Sequence, residues 1–271
     1  MTDTDLYIQR LLDANPLREP VLRSCIQTLQ LPSASHGLDV GCGIGLQTLL
    51  LANAVGPEGR VTGLDILPEF LESGANLVGK AGLSKRITFR EGDMNDLPFA
   101  ESTFEWVWSA DCVGYPAGEL IPLLRELARV VKPGGSVIIV AWSLQQVLPG
   151  YPLLEARLNA TCSSYLPFLK GQSAEHHFLR VLHGFDEIGL QDLKAQTFVG
   201  DVQAPLGIGK RVALASLFEM LWGQPQPKVS AEDWREYQRL CSPESADFIL
   251  DIDDYYAFFT YSMFQGKVPL E

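Results

Sequence analysis

The sequence predicts an α/β fold: a doubly wound sheet of seven strands, mostly parallel with the last strand antiparallel, carrying helical cap insertions. Three observations predict it. Short apolar runs suited to buried strands alternate with longer runs at helical spacing between residues 36 and 142. A glycine-rich turn joins the first of these strands to a helix, as at the start of a nucleotide-binding βαβ unit. Beyond Trp142 the alternation loosens, and two further strand-like runs are separated by the helical stretch 205–255.

The elements follow in order. Residues 3–30 carry Leu6, Ile8, Leu11 and Leu12, then Val21, Leu22, Ile26 and Leu29, at helical spacing. Pro16 and Pro20 are expected to split this stretch into two helices. The first of them could lie over a ligand, with Tyr7 and Arg10 as its polar contacts; an exposed helix face is the plainer reading. Leu38 and Val40 mark the first strand, and Leu46 to Ala54 the helix after it. Arg60–Asp65 is the second strand, and Pro68 opens the next helix from its first turn. Arg86–Met94 is the third strand with its exit loop, and Phe104–Ser109 the fourth. Leu120–Val131 is an amphipathic helix closed by Lys132-Pro-Gly-Gly135, and Ser136–Trp142 is a buried fifth strand. Helices are then expected at Leu153–Tyr165 and Ser173–Gly189, a strand at Leu193–Val202, helices at Val212–Trp222 and Ser230–Cys241, and a last strand at Tyr256–Val268. Tyr255 and Tyr256, just before or at its start, read as packing residues.

Composition narrows the function. The chain has 271 residues, 46% of them hydrophobic and 20% charged, as in ordinary globular proteins. A net charge of −12 repels phosphate backbones, so nucleic acid is not the expected partner. The start is acidic and polar, unlike a signal peptide, and no apolar run is long enough to span a membrane. Five cysteines without a C-x-x-C pair fit neither a disulfide framework nor a zinc site and suit a reducing cytoplasm.

The glycine turn carries the chemistry. Gly41, Gly43 and Gly45 form G-x-G-x-G, preceded by Asp39. A dinucleotide fingerprint requires a third glycine at position 46, where Leu46 stands. Small residues let the chain turn and let a ligand approach the N–H groups at the helix start. Cys42 lies inside this loop; with no basic partner nearby, its small size explains it better than a thiolate does. Asp65 ends the second strand, where a carboxylate can accept hydrogen bonds from ribose hydroxyls.

Together, Asp39-Val-Gly-Cys-Gly-Ile-Gly45, Asp65, Gly92-Asp93-Met94 with Asp96-Leu-Pro-Phe99, and Leu127-Ala-Arg-Val-Val-Lys-Pro-Gly-Gly135 closely resemble class I S-adenosylmethionine-dependent methyltransferases. The nearest pattern is the ubiquinone/menaquinone-biosynthesis type and related small-molecule enzymes. The resemblance covers roughly residues 36–142 and implies a Rossmann-like core with S-adenosyl-L-methionine as cofactor. It implies cofactor-binding roles for Asp39, Gly41, Cys42, Gly43, Gly45, Asp65, Ile66, Asp93, Met94, Ser109 and Asp111. Asp39 would place negative charge near the cationic end, and Asp65 would hold the ribose. Asp93 would accept the adenine amino group, with the Met94 backbone at the ring edge and Ile66 and Met94 flanking the adenine. Ser109 and Asp111 would approach the methionine portion. Trp142 stands where many relatives carry an acid, which leaves no carboxylate role on the fifth strand.

Methyl transfer needs no universal catalytic residue, because the leaving group is a neutral thioether; a base is required only if the acceptor must lose a proton. Tyr115, His176 and His177 are the candidates, with His183. On a single helix His176 and His183 would share a face, but no third ligand is spaced for a metal, and none is expected.

The expected organisation is N-terminal helices at 1–35, a cofactor-binding core of 36–142 with 176–204 and 256–268, and helical caps at 143–175 and 205–255. The apolar caps suit a small, partly hydrophobic substrate, or alternatively form a homodimer interface. Two rival functions are a non-catalytic S-adenosylmethionine-binding regulator and a nicotinamide-dependent oxidoreductase; the missing glycine at position 46 disfavours the second.

Overall fold

The computed structural model describes residues 2–112, 119–162, 165–223 and 229–270. Its seven strands are β1 (His36–Val40), β2 (Arg60–Asp65), β3 (Ile87–Glu91), β4 (Phe104–Ala110), β5 (Val131–Gln146), β6 (Gln191–Gln203) and β7 (Tyr256–Lys267). They form one sheet in the order β3-β2-β1-β4-β5-β7-β6. β1, β2, β3, β4 and β5 pair in parallel. β7 runs against its neighbours, because Gly134 donates to Val268 and Gln265 to Ser136, while Thr197 meets Ser262 and Ala204 donates to Tyr255. The predicted sheet, with an antiparallel last strand, is the one observed.

The helices are α1 (Asp3–Leu29), α2 (Leu46–Ala54), α3 (Pro68–Lys80), α4 (Leu120–Arg129), α5 (Pro152–Asn159), the single turn α6 (Leu166–Leu169), α7 (Val181–Glu187), α8 (Ile208–Trp222) and α9 (Ala231–Cys241). By its contacts the chain divides into two compact units. One holds Leu22–Trp142, Ser173–Phe198 and Tyr261–Glu271; the other holds Met1–Val21, Ser143–Gln172 and Val199–Thr260.

In the first unit, α4 and α7 close one face of the sheet. Leu120, Leu123, Leu124 and Leu127 recur at helical spacing and meet Val181 and Phe185 over Val107, Val137 and Ile139. Gly184 lets α7 lie close to α4: a Cβ there would stand 2.6 Å from Leu124. The Lys132-Pro-Gly-Gly135 segment lies within β5, not before it. Pairing with β4 jumps from Phe104↔Val131 to Trp106↔Ser136, so the segment is a bulge in a strand that starts earlier than expected.

In the second unit, α9 packs on α5. Arg157 clasps the Asp233 carboxylate through three bonds of 2.7–3.0 Å, and Ser230 caps α9 by accepting the Asp233 N–H. Glu155 is buried and accepts the amides of Val147 and Leu148 at 2.8 and 3.0 Å, fixing the exit from β5. Tyr255 is also buried and donates to the Val147 carbonyl at 2.9 Å, a packing role as expected, whereas Tyr256 is exposed.

Three local expectations need correction. Pro16 and Pro20 do not split the first stretch, since α1 runs through both. They are four residues apart and both exposed, so both rings stand on one outward face of the helix. The segment Ser173–Gly189 is not one helix but two short 3₁₀ turns, Ala174–His176 and Phe178–Arg180, followed by α7. The helix expected at Leu153–Tyr165 is α5, which begins at Pro152 and ends at Asn159.

Candidate cofactor site

The strand order reverses between β1 and β4: the chain moves outward through β2 and β3 on one side and through β5 on the other. A crevice opens at such a switch point, outside the carboxyl ends of the strands. The loops after β1, β2, β3 and β4 meet this edge, and they carry the residues singled out in the sequence.

The loop after β1 is pinned first. The amides of Gly41 and Cys42 both donate to the Leu64 carbonyl on β2, at 2.8 and 3.0 Å. Gly41, Gly43 and Gly45 have φ of 70°, 52° and 77°, the left-handed region where a side chain is strained. Their surroundings differ. A Cβ at Gly41 would come 2.3 Å from the Cys112 sulfur, and one at Gly45 2.7 Å from the Phe89 ring; at Gly43 no protein atom lies within 4 Å. The outer glycines are packed shut, and the middle one borders open space. Gly45 also caps α2 without any side-chain bond to its first-turn amides. Those N–H groups and the helix dipole suit an anionic group.

Asp65 joins the two halves of the edge. One carboxylate oxygen accepts the Gly43 amide at 2.8 Å and the other accepts the Leu67 amide at 3.1 Å. Each oxygen keeps acceptor capacity for a hydroxyl. Ile66 beside it is 62% exposed, an apolar surface turned to solvent. On the next loop, Asp93 accepts the backbone and side-chain N–H of Asn95, both at 2.8 Å, and is exposed. Met94 packs against the core from the same loop.

Asp39 stands on β1 just before the glycine loop. It is buried, and its carboxylate accepts the Thr48 hydroxyl at 2.6 Å, bracing β1 against α2. Burial pushes its pKa up to about 7; the Thr48 bond opposes this and the Asp65 charge adds to it. Burial raises the Cys42 thiol as well, followed by the nearby Asp39 and Asp65 charges, so it is no thiolate nucleophile. Ser109 is 0% exposed and donates to the Val40 carbonyl at 2.9 Å, tying β4 to β1.

Asp111 sits at φ 58° and accepts the Trp142 amide at 2.7 Å and the Tyr261 hydroxyl at 3.3 Å. Cys112 follows it and lies against Gly41. Tyr115 lies outside the described residues. His176 and His183 do not share a helix face, because one ends a 3₁₀ turn and the other is on α7. The Nδ1 of His176 is buried without a hydrogen-bond partner. His177 caps the second 3₁₀ turn by accepting the Leu179 amide at 3.3 Å, and burial lowers its pKa. Arg10 pairs with Glu219 at 3.0 Å. Among the described residues, no group of three His, Cys, Asp or Glu side chains is arranged to hold a metal ion.

Sequence reasoning missed Thr48, Tyr261 and above all Phe89. A Cβ at Gly45, Gly63 or Gly74 would come 2.7–2.9 Å from the Phe89 ring. One ring thus fills the space that three glycines leave in α2, β2 and α3. The signal was present as Gly63 inside a strand and Gly74 inside a helix, positions where glycine marks close packing.

A mostly parallel sheet, with a glycine loop after its first strand and an acid closing its second at the switch point, defines a Rossmann-like fold. The comparisons with known proteins are specific. A methyltransferase-domain family model matches residues 38–135. Demethylmenaquinone methyltransferase of Bacillus cytotoxicus is 36% identical over 197 residues, covering 67% of this chain and 81% of that protein. The enzyme of the same name from Bacillus pumilus is 30% identical over 203 residues, covering 69% and 84%. The solved YcgJ protein of Bacillus subtilis shares the fold, with a TM-score of 0.57 at 18% identity over 92% of this chain and 98% of that one. The chain belongs to the class I S-adenosylmethionine-dependent methyltransferases. It is a methyltransferase, and S-adenosylmethionine is its cofactor. The residues present fit that group: the open side of Gly43, the amides opening α2 and the Asp65 carboxylate offer a cradle, an anion site and a hydroxyl acceptor.

Proposed function

We propose that this enzyme methylates a small, partly hydrophobic acceptor at oxygen, carbon or nitrogen, and that the loop edge of β1–β4 holds the methyl donor. The observation that carries the reading is the joined pair of Asp65 and Gly43, which sets a hydroxyl-accepting carboxylate beside the one glycine of the loop bordered by open space. When bound, S-adenosylmethionine supplies an activated methyl group whose departure leaves a neutral thioether. The chain's residues have positional work. Asp65 accepts the ribose hydroxyls, the first-turn amides of α2 meet the α-carboxylate, and Ile66 and Met94 flank the adenine. Asp93 holds its loop through Asn95 and accepts the adenine amino group.

The acceptor class rests on the relatives, two of which are named for demethylmenaquinone, and on the apolar insertions. The helices of both insertions fall within the second compact unit. We assign acceptor specificity to these insertions; association of two copies through them is the competing role. The net charge of −12 argues against nucleic acid as acceptor. Among the described residues no helix is long and apolar enough to cross a membrane. Five free thiols suit a reducing compartment such as the cytoplasm.

The test is turnover. Purified protein with S-adenosylmethionine is offered demethylmenaquinone first, then a panel of lipophilic phenols, quinols and amines, with release of S-adenosylhomocysteine as readout. Release coupled to a methylated small molecule supports the proposal. Turnover on RNA or protein with none on the panel contradicts it.

A further inference from the structure

We infer that Tyr261 and Asp111 are positioning residues of the methyl-donor site: they hold the turn after β4 that forms one wall of the glycine loop. This rests on the reading that the glycine loop cradles S-adenosylmethionine, and it moves Asp111 from a ligand contact to a support.

Asp111 has a φ of 58°, unusual for a residue with a side chain. Aspartate tolerates this region better than most residues but still at a cost, which its surroundings can offset. Three bonds do so. The Asp111 amide donates to the Val140 carbonyl at 2.9 Å, and its two carboxylate oxygens accept the Trp142 amide at 2.7 Å and the Tyr261 hydroxyl at 3.3 Å. β4 is thereby tied to β5 twice and to β7 once. Tyr261 is 0% exposed, and its ring meets Trp142 edge to face at 5.4 Å and 83°, which fixes the direction of its hydroxyl.

The turn delivers Cys112 onto the glycine loop. The Cys112 sulfur lies 3.7 Å from the Gly41 carbonyl oxygen and 3.3 Å from that of Ala110, and it occupies the space a Gly41 side chain would need. Gly41 is therefore held from two sides, by Leu64 through its amide and by Cys112 through packing. The chain of contact runs from Tyr261 to Asp111 to Cys112 to Gly41. It accounts for an aromatic residue at position 142 on β5. There the backbone amide does the holding, and the side chain buttresses Tyr261.

Calorimetric titration with S-adenosylhomocysteine, well below the melting temperature, separates support from contact. Tyr261→Phe deletes one hydroxyl and keeps the ring. Tyr261→Phe and Asp111→Asn are each expected to raise Kd about three- to tenfold, the range of one lost hydrogen bond. The double variant stays within about twofold of the worse single, because both break one linkage. Tyr255→Phe, which loses an equally buried hydroxyl bond, to Val147, should lower the melting temperature and leave Kd unchanged. If Tyr261→Phe folds poorly, Asp111→Gly serves: glycine accepts the left-handed turn but lacks the carboxylate, so the inference again predicts weakened binding in a folded protein. Wild-type affinity in Tyr261→Phe alongside weakened Asp111→Asn would overturn the inference and restore direct contact. Fully additive losses would also overturn it. A wild-type protein that binds no S-adenosylhomocysteine overturns the cradle reading instead, so the two failures are distinct.

Discussion

The Asp65 carboxylate accepts the Gly43 amide at 2.8 Å, joining the acid that ends β2 to the middle of the glycine loop. The bond links two sequence features that lie apart in the chain, and it orders the carboxylate before any ligand arrives. Preorganised acceptors lose less freedom on binding and hold a ligand more tightly.

Asp65→Ala should weaken S-adenosylhomocysteine binding by roughly ten- to a hundredfold, the scale of a lost charge-assisted hydrogen bond. The loss should exceed that of Asp111→Ala, since the proposal gives Asp65 the ribose and Asp111 a supporting role. Isothermal titration of the two variants checks the order. Equal losses, or the reverse order, would contradict the ribose assignment.

The glycines should separate stability from binding. Gly45→Ala places a methyl 2.7 Å from Phe89 at a φ of 77°, and should cost about 2–4 kcal/mol of folding stability in urea titrations. Gly43→Ala meets no protein atom within 4 Å, so its stability cost should be only the backbone strain, about 1 kcal/mol. Its methyl group would enter the cradle, and cofactor affinity should fall sharply. A Gly43→Ala protein that binds S-adenosylhomocysteine normally would show that the open space is not the ligand's.

Asp39 should make stability depend on pH. Its pKa is about 7 in the folded protein against an ordinary value of 3.8, so the folded state holds the proton more tightly. That contribution is full below the ordinary value and is lost as pH rises through the folded value. Stability attributable to Asp39 should therefore decline between about pH 4 and pH 7. Asp39→Asn still offers an oxygen to Thr48 and carries no charge, so it should flatten this slope in urea titrations across the window. An unchanged slope would show that Asp39 is not the group responsible.

Much of the fold was legible because β4 and the middle of β5 are largely apolar runs, and Gly41, Gly43 and Gly45 mark where the chain must turn. The position of Asp65 was legible for a related reason: it closes a short run carrying Val61 and Leu64, and β2 ends there. What escaped depends on three-dimensional neighbours. Nothing in the local pattern says that Pro16 and Pro20 stand on one exposed face of α1, which continues through both. Ser109 and Asp111 have the chemistry of a ligand contact, but their bonds to Val40, Trp142 and Tyr261 were not legible, since Tyr261 lies far along the chain. The shared face expected of His176 and His183 failed because 3₁₀ turns break the helical phase before α7. Phe89 was only a strand residue until three glycines were found around its ring.

The most direct measurement is the thermal unfolding of the purified protein with S-adenosylhomocysteine and, separately, with NAD, each in millimolar excess. A ligand that binds only the folded state raises the apparent melting temperature, by an amount set by its concentration over Kd. The account predicts a rise with S-adenosylhomocysteine that is largely lost in Asp65→Ala, and no rise with NAD. No shift with S-adenosylhomocysteine, or a shift with NAD alone, would contradict it.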